Sequence, residues 1–350
     1  MDLDIASLVA QDGIASGAIY ALMALGIVLV FNSTRVILVP FGDLVAYAAL
    51  TLGYLQQHQR PGTIWLVAIL AFAAFLTEAI SLIRAKRAHR LGRAALAWLA
   101  LPLAPAALAY GFATQSLPWS AQIFLTVALV LPIGPLLYRV VFQPVADAPV
   151  LVLLMIATAL HFVISGLALF GFGPEGLRTS SFMPADLDIG SFQVSGSMLV
   201  MLLATVALSL ALFAFFQHTI AGKALRATAI HREGARLMGI RTKRAGALAF
   251  LLAGGIAAFA GILISPTTTI YYDTGLMVGL KGFVGASFGG FAGYPAAVAG
   301  ALLIGLIESF SSFYASAFKD VIVFGAIIPI VIWRWMAVEH GRQMDEEAEE

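Results

Sequence analysis

With 350 residues, 61% of them hydrophobic and only 11% charged, the chain carries more apolar surface than a water-soluble core of its size can hide. Its mean hydropathy of +0.94 means that lipid must cover that surface. A formal net charge of +1 without a large basic face argues against a nucleic-acid partner, and the absence of cysteine excludes disulfides, thiolate metal sites and Cys-based catalysis.

The first residues, Met1-Asp2-Leu3-Asp4, are acidic where a secretory signal is basic, so no cleaved signal is expected and the first apolar run must itself insert. A membrane-crossing helix needs ~20 mainly apolar residues, because hydrocarbon offers no partner to any other backbone. Long apolar runs between charged or Gly/Pro-rich breaks predict eleven such segments. They are Ile5–Phe31, Val36–Leu55, Ile64–Ile83, Ala94–Phe112, Ala121–Tyr138, Val150–Phe170, Gly196–Phe216, Ala245–Ser265, Leu276–Phe291, Ala296–Phe313 and Val321–Met336. The fold class is therefore all-α, a polytopic transmembrane helical bundle of about 10–11 spans. The second segment, interrupted at Pro40, and the ninth, interrupted by glycines, are expected to be broken or re-entrant.

Basic residues collect in cytoplasmic loops. With the N-terminus outside, sixteen of the twenty Lys and Arg fall on the inner side. They are Arg35, Arg139, Arg334, Arg342, five between Arg84 and Arg93, and seven between Lys223 and Arg244. Only Arg60, Arg178 and Lys319 lie outside, and Lys281 lies within a span. The expected topology is N-out and C-in. A Gly/Pro/Ser-rich loop, Gly171–Ser195, forms an external ledge, and the inner loop at about 217–244 carries a short helical pattern. Residues 343–350 read as an acidic, disordered cytoplasmic tail.

Ionisable residues within spans are costly and functional by default. Lys281 and Glu308 each lie about five residues from the outer end of adjacent spans, roughly 7–8 Å deep at ~1.5 Å per residue. Equal depth predicts a pair, acting as a clamp between helices or as a gate. Asp43 and Glu78 sit near the inner ends of the second and third spans. Asp43 follows the break at Pro40 and Gly42 and is the candidate for lining a pathway. His161, mid-span, is read as hydrogen-bonded to a neighbouring helix. Gly285-Ala-Ser-Phe-Gly289 matches the pattern of a hydrolase around Ser287. A nucleophile there needs a strand-to-helix turn, whereas these residues read as small-residue helix packing, as do Ala297, Ala301 and Gly305. Neither Lys223 nor Lys281 sits in a phosphate-binding loop, so no ATP is hydrolysed by this chain. No catalytic residue, metal or cofactor is expected.

The stretch from Gly222 to Leu263, GKALRATAIHREGARLMGIRTKRAGALAFLLAGGIAAFAGIL, resembles the bacterial branched-chain amino acid ABC transporter permeases, specifically their H-type subunit. The resemblance continues through Gly279-Leu-Lys-Gly-Phe283, Gly289-Gly290-Phe-Ala-Gly293, Pro295, Ile307-Glu-Ser-Phe-Ser-Ser312 and Lys319-Asp320. The opening Gly17-Ala-Ile-Tyr-Ala-Leu-Met-Ala-Leu-Gly26 shares it, so that over half the chain is covered. Two departures stand out. Val39-Pro-Phe-Gly-Asp43 replaces a family segment that carries a His and a longer acid, and Ile64–Phe112 is longer than the family core.

The resemblance implies a single permease domain, 1–342, in the bacterial inner membrane, contacting membrane lipid. It implies a second, M-type permease subunit in a heterodimer, two cytoplasmic ATPases that use ATP and magnesium, and a periplasmic substrate-binding protein. The inner loop becomes the segment coupled to an ATPase, through Arg226, Ala227, Glu233, Ala235, Leu237, Met238 and Gly239. Without the resemblance, that loop is equally a topogenic basic loop. The implied function is import of branched-chain amino acids or related small polar solutes by alternating access. The rival readings are an ion-coupled secondary transporter and an intramembrane serine hydrolase using Ser287.

Overall fold

The computed structural model describes residues 3–181, 186–189, 192–288, 290–291, 293–330, 332 and 336. Its helices are α1 (Leu3–Thr34), α2 (Phe41–Gln56), α3 (Thr63–Arg84), α4 (Leu91–Phe112), α5 (Trp119–Phe142), α6 (Val150–Phe172) and α7 (Gly196–His218). They continue with α8 (Ile220–Ile230), α9 (Arg232–Leu237), α10 (Thr242–Ile264), α11 (Thr274–Phe288), α12 (Tyr294–Tyr314) and α13 (Lys319–Gly325). A short antiparallel hairpin, β1 (Asp186–Ile189) with β2 (Phe192–Ser195), precedes α7.

Among the described residues eight helices, α1, α3 to α7, α10 and α12, are long and apolar enough to cross a bilayer. Among the described residues each of the eleven predicted segments overlaps a helix, the second only from Phe41 onward. The second and ninth are the short ones: α2 has 16 residues and α11 has 15, both below the ~20 a full crossing needs. The last segment begins in α13, and most of its C-terminal part, with Arg334, Arg342 and the acidic tail, lies outside the described residues. Many large apolar side chains face outward, Phe170 being 85% exposed, while Asp43 and Lys281 are buried. Lipid selects that inversion, because it solvates the apolar surface and leaves polar groups to find partners inside.

Two compact units are distinguished, one holding the described residues of Met1–Val28 and Lys281–Glu350, the other those of Leu29–Leu280. In the second, α2 is the core: fourteen of its sixteen residues are buried, so it has no lipid face. Small residues bring its neighbours to backbone distance. A Cβ on Gly261 of α10 would stand 2.6 Å from Ala48 Cβ, and one on Gly134 of α5 would stand 2.8 Å from the Phe250 carbonyl carbon. Tyr47 of α2 donates a hydrogen bond to the Ile164 carbonyl of α6 at 3.0 Å. The Gly/Pro-rich segment after α6 is tied down by reciprocal backbone hydrogen bonds between Leu177 and Ile270, each 2.9 Å.

In the first unit, α1 and α12 cross through glycine. A Cβ on Gly17 would lie 2.8 Å from Leu302 Cα, and one on Gly13 would lie 2.9 Å from Leu306 Cα. Ser309 Oγ donates to the Val9 carbonyl at 2.7 Å. Gly285 of α11 faces Ala301, so the small-residue face Ala297, Ala301, Gly305 is a helix-packing surface. Gly289 lies outside the described residues.

These close approaches make a contrast experiment possible. Gly261→Leu should lower the stability of the detergent-solubilised protein by ~2–3 kcal/mol or more, since the clash is with backbone and a neighbouring Cβ. Gly166→Leu, whose Cβ meets nothing within 4 Å, should leave it unchanged or raise it. Thermal unfolding followed by size-exclusion chromatography measures both.

Candidate functional site

Three groups of residues carry chemistry that packing alone does not require. The first begins where the chain leaves α1. Arg35 takes a φ of 58°, and an unwound stretch leads to Pro40, which starts α2 because its ring fixes a helical φ and its missing N–H is not needed there. This irregular backbone is enclosed by protein, Val36 and Leu38 being buried, which is the condition for non-helical chain at membrane depth. Asp43 follows in the first turn of α2, 1% exposed. Its Oδ2 lies 2.7 Å from His161 Nδ1 of α6. Its Oδ1 is buried with no hydrogen-bond partner. Gly42 and Gly275 let the first turns of α2 and α11 meet: a Cβ on Gly275 would stand 2.7 Å from the Asp43 backbone nitrogen and from Oδ1. The sequence places His161 against a neighbouring helix; the structure identifies its partner as Asp43, the residue expected to line a pathway.

The second group lies in the unit built from α1 and α12. Lys281, 7% exposed, places Nζ 2.5 Å from Glu308 Oε1 and 3.3 Å from Asp320 Oδ1. Tyr20 donates its hydroxyl to Glu308 Oε2 at 2.6 Å. Lys281 Nζ is 5.9 Å from the Tyr20 ring centroid, within cation–π range. Sequence depth predicts the Lys281–Glu308 pair but misses Tyr20 and Asp320. Asp320 carries a signal that was open to use, since it begins the next apolar segment at the same outer level. Tyr20 carries none, because a tyrosine in an apolar run is ordinary.

The third group is the α8–α9 loop. Thr219 caps α8 by accepting from the Gly222 N–H at 2.9 Å, and His231 Nδ1 accepts from the Gly234 N–H at 2.8 Å to start α9. Gly239, at φ +82°, follows the end of α9, a conformation that favours glycine. Leu237 and Met238 are 88% and 83% exposed, with Ile220 and Ile230 also projecting. Arg226 and Glu233 are exposed, Ala227 is half-buried, and Ala235 is buried, so Ala235 holds α9 to its own chain. Glu233 Oε1 lies 3.3 Å from Arg236, whose guanidinium is also 3.9 Å from Asp147 in the turn before α6. A cleft lined by Arg35, Asp147, His231, Glu233 and Arg236 adjoins these residues.

Two further residues take simpler roles. Glu78 of α3 is ion-paired with Arg139 of α5. Ser287 lies inside α11, where its Oγ donates to the Phe283 carbonyl at 2.9 Å, and no strand leads into it as a nucleophile turn requires.

The family described as "Branched-chain amino acid transport system / permease component" matches residues 9–332. The high-affinity branched-chain amino acid transport system permease protein LivH of Salmonella typhimurium is 29% identical over 201 residues, covering 55% of this chain. That match spans 65% of the Salmonella protein, a little under two thirds of its length. The corresponding protein BraD of Pseudomonas aeruginosa is 25% identical over 223 residues, 62% of this chain and 71% of its own. A probable branched-chain amino acid transport permease protein LivH of Methanocaldococcus jannaschii is 30% identical over 159 residues, 45% of this chain and 50% of its own. No solved structure matches the chain.

The Lys281 cluster is unequal in its partners, and that inequality is measurable. Lys281→Met leaves Glu308 beside a second carboxylate and should cost ~3–5 kcal/mol of stability. Glu308→Gln leaves Lys281 a remaining acid in Asp320 and should cost less. The double variant should be more stable than Lys281→Met alone, by a double-mutant cycle on thermal unfolding; additive losses would mean the pair is not coupled.

Proposed function

Because the chain belongs to the branched-chain amino acid transport system permease family, we propose that it is the membrane-spanning permease subunit of an ABC importer. Its solutes are branched-chain amino acids or related small polar compounds, delivered by an external binding protein. A second permease subunit, of the M type, completes the pathway, and two cytoplasmic ATPases hydrolyse ATP with magnesium.

The observation that carries this reading is the α8–α9 loop. An apolar pair, Leu237 and Met238, stands almost fully exposed at the end of a capped helix among seven basic residues. Water penalises such a surface, and in a chain of this family a protein cleft is the fitting occupant. The short helices α8 and α9 supply a lever, and Arg236 approaches Asp147 in the turn that leads into α6. Movement of an ATPase against Leu237 is thereby transmitted to α6, which holds His161 against Asp43. Alternating access follows as a re-tilting of helices that opens the polar ground around Asp43 first to one side and then to the other. Lys281 and Glu308 act as a clamp or gate within their own unit.

Leu237→Asp and Glu233→Lys should each abolish uptake while leaving membrane insertion intact. Association with the ATPases should weaken ~30-fold or more for Leu237→Asp, as for loss of a central apolar anchor. Copurification of the ATPases with wild-type and variant chains, beside uptake in cells, checks both. Uptake that is driven by a proton gradient and indifferent to ATP would instead favour an ion-coupled transporter.

Orientation follows from the distribution of basic residues: N-terminus outside and C-terminus in the cytoplasm. A cysteine placed at Ser7 should react with an impermeant maleimide from outside intact spheroplasts, and a fusion at Gln343 should report the cytoplasm. Protection of position 7 would reverse the assignment.

A further inference from the structure

Of the basic groups in the chain, those at the turn between α3 and α4 are the least accounted for by transport. Arg84, Lys86, Arg87, Arg90 and Arg93 fall within ten residues, and all are exposed. Among the described residues none of these five side chains makes an ion pair or hydrogen bond. Arg90 and Arg93 line one cleft with Leu82, Ala94, Ala97 and Trp98. The carboxylate in that cleft, Glu78, is already ion-paired with Arg139. The Arg139 Nε–H is itself buried without an acceptor.

We propose that this cleft binds the headgroup of an anionic phospholipid. Two guanidinium groups with unused donors match the phosphodiester oxygens of such a headgroup, which a planar fork binds in two parallel hydrogen bonds. Ala94 and Ala97 leave room beside the helix, where larger side chains would close the cleft. Trp98 lies five residues beyond Arg93, about 7.5 Å further into the membrane at ~1.5 Å per residue. An indole at that level sits at the boundary between headgroup and acyl chain.

The occupant is assigned to the bilayer rather than to solution because α3 and α4 are mostly unburied by protein along their length. Leu96 and Leu101 on α4 project outward beside the cleft, as a track for acyl chains requires. Basic pockets between membrane helices recognise anionic lipid in this way. A topogenic role accounts for the charge on the turn but asks for no cleft and no indole. The assignment does not depend on what the protein transports.

The test uses the full chain, purified in mild detergent and incubated with mixed phosphatidylglycerol and phosphatidylcholine. Native mass spectrometry should find phosphatidylglycerol retained in preference to phosphatidylcholine. Arg90→Gln with Arg93→Gln should weaken that retention about thirtyfold, as expected for two basic contacts near the surface. Arg84→Gln with Lys86→Gln removes the same charge from side chains that do not line the cleft, and because water and salt screen exposed charges that make no contact it should change retention less than about threefold. Equal losses in the two double variants would reduce the effect to diffuse attraction and overturn the site. Displacement of the lipid by excess inorganic phosphate would reassign the cleft to a soluble anion, and absence of any preference for phosphatidylglycerol would remove it altogether.

Discussion

Hydrocarbon offers a charged side chain neither a hydrogen bond nor a counter-ion, and much of this architecture follows from that deficit. Asp43 is met by His161, Glu78 by Arg139, and Lys281 by both Glu308 and Asp320. Each pairing joins elements distant in sequence, so each also fixes how helices lie within their own unit. The pairing of Asp43 is incomplete, with one oxygen buried and unpartnered. An uncompensated acceptor of that kind costs on the order of 1–3 kcal/mol.

Backbone obeys the same rule by different means. The stretch from Val36 to Pro40 is not helical, and it is permitted because protein covers much of it, Val36, Leu38 and Pro40 being buried. That enclosure depends on the absence of side chains elsewhere: Gly42, Gly275 and Gly279 allow α2 and α11 to approach at their first turns, and Gly261 seats α10 on α2. A short, fully enclosed α2 thus becomes the element that carries Asp43. Broken helices with polar groups at their ends are the usual ground of solute pathways in transporters.

Outside the apolar layer the constraint reverses, since water tolerates charge and penalises exposed apolar surface. Leu237 and Met238 break that rule at the end of α9, which is why a protein partner is the natural reading of the loop. The α3–α4 turn obeys it too well, holding five basic groups without an acid, and there the membrane surface is the natural partner.

Sequence alone determined where the apolar segments lie, because a bilayer imposes a length that composition records directly, but of the eleven expected only eight are helices long enough to cross among the described residues. It also marked α2 and α11 as irregular, through Pro40 and the glycines, and showed Lys281 and Glu308 at matching depth. It carried the family resemblance as well, in the run from Gly222 to Leu263. What it did not contain was the partner of each buried group. His161 meets Asp43 across 118 positions and Tyr20 meets Glu308 across 288, and no local period or propensity encodes such pairings. Nor did it distinguish Ala235, turned inward, from Leu237, turned outward, since a six-residue helix has too few turns to show a face. Those choices belong to tertiary packing, where close glycine contacts decide which helix faces meet and therefore which charges can neutralise one another.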